Sequence, residues 1–88
     1  MSPVVTNRLV AKTVRLAQSP EWTAQRAAWL LRSTAGTDAL TAAQALSEIR
    51  LGTGDGAKPD RVMLRAVDSL TVLIDELSRV RTRIVLPV

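Results

Sequence analysis

The side chains in this sequence with chemistry to offer are almost all cations. Ten arginines and two lysines stand against eight carboxylates, for a net charge of +4, and there is neither histidine nor cysteine. Without an imidazole or a thiol, thiol chemistry, zinc-finger ligand sets and histidine-based acid–base or metal work are excluded. The adjacent carboxylates Asp75 and Glu76 would point about 100° apart on a helix, a poor catalytic pair. No enzymatic activity, metal or cofactor is therefore expected. Arginine holds phosphates through its planar fork and stacks on aromatic faces, so binding is the chemistry left.

Six of the twelve cations fall into three candidate groups. Arg8, Lys12 and Arg15 recur at spacings of four and three, opposite an arc formed by Val5, Leu9, Val10, Val14, Leu16 and Ala17. On a helix this makes a basic ridge above an apolar face. Such a ridge is either a solvated surface or a track for phosphates. A helix lying on a membrane surface is disfavoured, because no bulky aromatic flanks the apolar arc. The second group is Trp22, Arg26 and Trp29, followed by Ser33 at the same kind of spacing. These would lie opposite a small-residue face of Ala24, Ala27, Ala28 and Leu31. That row is either sandwiched inside a bundle, docked on a protein partner, or stacked on bases. The third group, Arg61 and Arg65, would share the front of a late helix.

Four helices must position these groups, predicted near residues 4–18, 20–34, 38–51 and 59–84. Ser19-Pro20-Glu21 is a helix-start signal, and Gly36 suits a left-handed stop. Asp38 or Thr41 starts the third helix, with Thr41 and Gln44 available as a capping box. The last helix dominates. Met63, Ala66, Leu70, Leu73, Leu77, Val80 and Ile84 alternate by three and four, and Val67 and Ile74 widen the seam. Asp75 and Arg79 form a favourable pair one turn apart. Residues 79–86 also alternate by two, which would suit an edge strand, but the continuing seam favours helix.

Between the third and fourth helices, residues 52–58 (Gly-Thr-Gly-Asp-Gly-Ala-Lys) read as a flexible connector. They lack the Gly-Lys-Ser/Thr of a phosphate-binding loop and any preceding strand. Pro59-Asp60-Arg61, Val67-Asp68-Ser69-Leu70-Thr71-Val72 and Glu76-Leu77 together resemble the attachment segment of acyl carrier proteins. The resemblance implies Ser69 as a phosphopantetheine carrier, although Ala66 stands where that family has glycine. The pairing of helix 41–51 with a basic-fronted helix also resembles a helix-turn-helix, with a longer connection.

The expectation is thus one all-α domain, residues 1–88, built as a four-helix bundle of three short helices and one long C-terminal one. A chain of 88 residues has a marginal core. Its long seam is expected to be covered by a second copy through Met63, Leu70, Leu73, Leu77, Val80 and Ile84, giving an isologous homodimer. The function expected is a small nucleic-acid-binding regulator, with Arg8, Lys12, Arg15, Arg61 and Arg65 on phosphates. A protein-interaction module using Trp22, Arg26 and Trp29 is the alternative, and a carrier with Ser69 a minor one. No apolar run approaches membrane-spanning length and no signal-peptide core is visible, so the cytoplasm is the expected compartment.

Overall fold

The computed structural model describes residues 3–52 and 60–85, and side chains over 4–34, 36–52 and 60–80. The described residues form four helices: α1 (Pro3–Ala17), α2 (Ala24–Ala35), α3 (Ala39–Gly52) and α4 (Arg61–Val85). Helix continues to Val85, so the alternation in the tail is not an edge strand. Residues 53–58 of the connector and Pro59 lie outside the described residues.

Local signals set the helix ends. Asp38 caps α3, accepting from the Thr41 N–H at 2.7 Å, and Asp60 caps α4, accepting from the Met63 N–H at 2.8 Å. The capping-box alternative at Thr41 is therefore not used. Gly36 ends α2 at φ 54°, a backbone conformation that glycine adopts without the Cβ clash.

The start of α2 differs from expectation. The Ser19-Pro20-Glu21 signal produces a turn instead: the Trp22 N–H donates to the Ser19 carbonyl, and the Glu21 N–H to the Ser19 hydroxyl. The helix begins four residues later than Pro20, capped by Thr23, whose hydroxyl accepts from the Arg26 N–H at 3.1 Å. Serine and threonine both compete for local amides, and here Thr23 wins the cap because the turn before it is what seats Trp22 against the core.

α1 and α4 form the middle of the bundle, each touching all the other helices, while α2 and α3 flank them and do not meet. Alanine makes this closeness possible. Ala17, Ala28, Ala42, Ala45 and Ala66 are completely buried beside Leu31, Leu70 and Leu73, so backbones approach where larger residues would hold them apart. Two buried threonines are also satisfied. The Thr13 hydroxyl donates to the Leu9 carbonyl at 2.6 Å, and the Thr6 hydroxyl to Gln44 Oε1 on α3 at 3.5 Å.

The long seam is covered mostly within one chain. Leu70 and Leu73, expected at a dimer interface, are fully buried by α1, α2 and α3, and Met63 and Leu77 are half-buried. The three short helices reach further than expected because their facing residues are small. Past Leu77 the cover ends: Ser78, Arg79 and Val80 are exposed, and Val80 keeps 46% of its surface in solvent. With 25 residues, α4 is about 37 Å long and overhangs the rest. The side chain of Ile84 lies outside the described residues. Among the described residues no helix is long and apolar enough to cross a membrane.

Candidate nucleic-acid interface

The α1 ridge forms as its spacing demands. Val10, Val14 and Leu16 pack against the core with buried Leu9 and Ala17, turning Arg8, Lys12 and Arg15 outward along one flank. Arg8 and Arg15 are exposed and Lys12 is half-buried. The Lys12 ammonium donates to the Thr34 hydroxyl on α2, and Thr34 in turn donates to the Leu30 carbonyl at 2.7 Å. This chain of hydrogen bonds holds the lysine without neutralising it.

Among the described residues, no carboxylate lies within ion-pair distance of Arg8, Lys12 or Arg15. Other exposed arginines do have acidic partners. Arg26 meets Glu21 at 3.6 Å, Arg32 meets Glu76 at 3.9 Å, and Arg79 meets Asp75 at 3.0 Å as its i,i+4 spacing predicts. Each of these pairs is weak in solvent, yet each screens its arginine from a passing anion. Among the described residues, the ridge alone combines successive cations with open charge.

Two grooves follow one another along it. The first, about 300 Å³, is lined by Val5, Arg8, Leu9, Lys12, Thr34 and Thr37. The second, about 350 Å³, is lined by Arg8, Ala11, Lys12, Arg15 and Leu16. Neither lining includes an acid. Thr34 and Thr37 carried no signal of their own in the sequence. They bracket Gly36 at the end of α2, and only the docking of α2 against α1 brings their hydroxyls beside the basic ridge.

The other expected groups are placed differently. Arg61 is exposed on the first turn of α4, but Arg65 is half-buried. Its guanidinium sits 4.5 Å from the centroid of the Trp22 ring, and it donates to the Ser19 carbonyl at 3.2 Å. A guanidinium stacked and bonded this way fastens the turn before α2 to α4 and is not offered to a phosphate. The paired basic front that suggested a helix-turn-helix is thereby reduced to Arg61.

Trp22, Arg26 and Trp29 do not form one row. Trp22 precedes α2, and its indole N–H donates inward to the Ser69 hydroxyl at 2.9 Å. Arg26 is held toward Glu21, and Trp29 stands apart with 57% of its surface exposed. Ser69 is completely buried, and its own hydroxyl donates to the Arg65 carbonyl at 3.0 Å. The carrier resemblance is corrected on this point: a serine enclosed beneath Trp22 has no room for a prosthetic arm. Comparison with known families, curated proteins and solved structures finds no match for this chain.

Proposed function

We propose that this chain is a small nucleic-acid-binding protein that tracks the phosphate backbone with the α1 ridge. The supporting observation is that Arg8, Lys12 and Arg15 stand in successive turns, the two arginines exposed and the lysine half-buried, with no acidic partner among the described residues. Phosphate contacts of this kind fix position on the nucleic acid and carry little sequence preference of their own. Arg61 is a secondary contact at most. Arg65 drops out because Trp22 and Ser19 occupy it.

Salt dependence tests the reading. If the ridge neutralises three phosphates on duplex DNA, the logarithm of the binding constant falls with slope about −2.7 against the logarithm of salt. Over a fourfold rise in salt, affinity should drop about fortyfold. Arg15→Gln should lower the slope by about 0.9 without changing helicity, since Arg15 is exposed. Anisotropy titrations showing no binding in low salt, or a slope indifferent to the ridge, would remove the proposal.

A second reading is favoured by Trp29, a large ring left 57% exposed and therefore available as a hot spot for a protein partner. Self-association belongs here too, in a narrower form than the sequence suggests. On the described part of α4 the seam residue left exposed is Val80, which continues the stripe of buried Leu70 and Leu73 and half-buried Leu77. A dimer formed there would present two ridges to one nucleic acid. Cytoplasmic residence fits such a role.

A further inference from the structure

We infer that the groove between the first half of α1 and the turn joining α2 to α3 seats a terminal phosphate monoester, the group found at a phosphorylated end of a nucleic-acid strand. This rests on the phosphate reading of the ridge and adds what one part of it selects.

The groove differs from the rest of the ridge in its chemistry. Its lining combines the two positive charges of Arg8 and Lys12, the hydroxyls of Thr34 and Thr37, and the apolar side chains of Val5 and Leu9. At about 300 Å³ it is at the small end of ligand pockets, suited to a phosphate with its attached sugar. The closest acid in sequence, Asp38, is turned to its own helix and caps the Thr41 N–H at 2.7 Å. Lys12 is already fixed by Thr34, so little side-chain freedom is lost when an anion arrives.

The charge balance favours a strand end over a strand interior. An internal phosphodiester carries one negative charge and has sugars on both sides. A terminal monoester approaches −2 near neutral pH, with a second pKa of about 6, and has a sugar on one side only. Two unneutralised cations match the dianion, and the Thr37 hydroxyl is a donor for its additional oxygen, that of Thr34 being spent on the Leu30 carbonyl. Val5 and Leu9 in the lining take the single sugar. The second groove, bordered by Arg8, Lys12 and Arg15 without hydroxyls, suits the next phosphate along the strand.

The test uses three single strands of one sequence, carrying a 5′-phosphate, a 3′-phosphate or hydroxyls at both ends. Anisotropy should show one phosphorylated strand binding about five- to tenfold tighter than the hydroxyl strand, which can offer the two cations only a singly charged internal phosphate in place of the dianionic end. That strand also identifies which end is seated. The advantage should fade as pH falls from about 7.5 to about 5.5, as the monoester gains a proton. Arg8→Gln and Lys12→Gln should abolish the advantage, Arg15→Gln should weaken all three strands alike, and Arg79→Gln, outside the lining of both grooves and paired with Asp75, should change nothing. As a check independent of these variants, a nucleoside monophosphate titrated into the unaltered protein should shift the amides of Thr34 and Thr37, and the parent nucleoside should not. Equal binding of all three strands, still dependent on Arg15, would overturn the seat and leave the ridge proposal standing. Binding of none would overturn both.

Discussion

Replacing Ser69 with alanine separates the structural from the chemical meaning of that serine. In the folded chain its hydroxyl accepts from the Trp22 indole at 2.9 Å and donates to the Arg65 carbonyl at 3.0 Å, with no exposed surface. Alanine leaves the Trp22 N–H without a partner in a half-buried setting, at a cost of about 1–3 kcal/mol. Alanine's better helix propensity returns roughly 0.5 kcal/mol. The net expectation is a loss of about 1.5 kcal/mol, and for a domain of this size a fall in Tm of about 6–12 °C. The cause is checked by a double-mutant cycle. In a Trp22→Phe background no N–H remains to be orphaned, so Ser69→Ala should become nearly neutral, with a coupling of about 1–2 kcal/mol. Thermal unfolding followed by circular dichroism supplies the numbers for all four proteins. An unchanged Tm, or an equal loss in both backgrounds, would refute the reasoning. The same protein treated with a phosphopantetheinyl transferase should show no mass increase at Ser69.

Other perturbations act at separate places in the fold. Leu73→Asp should prevent folding, because it places a carboxylate where no solvent reaches, whereas Val80→Asp should keep native helicity and, if copies pair through the overhang, shift sedimentation to monomer. Gly36→Ala should destabilise by about 1 kcal/mol, since φ 54° strains any residue with a Cβ even though the space around it is open. Trp29→Ala should alter stability by less than about 0.5 kcal/mol, because the ring is mostly in solvent, so any lost pull-down of a partner would report docking alone. Tryptophan emission should resolve two environments: a blue-shifted component from Trp22, and a red, readily quenched one from Trp29.

Which parts of this molecule were legible in the residue order follows from the range of the forces involved. Helix periodicity, the left-handed stop at Gly36, the Asp75–Arg79 pair and the α1 ridge are all set by neighbours within a turn or two, and spacing alone reveals them. The Ser19 start signal misled because two nearby hydroxyls can cap, and what chose Thr23 was the burial of Trp22 against residues 65 and 69, nearly fifty positions away. The same distant packing converted Arg65 from a candidate phosphate contact into a clamp on an indole, and Ser69 from an attachment point into a buried acceptor. The apolar stripe of α4 announced that it needed covering but not by what. Alanines on three other helices decided that, by letting one chain close over Leu70 and Leu73. The groove beside Arg8 and Lys12 belongs wholly to tertiary structure, because its two walls come from α1 and from the end of α2, and a polar pocket between helices exists only once they dock.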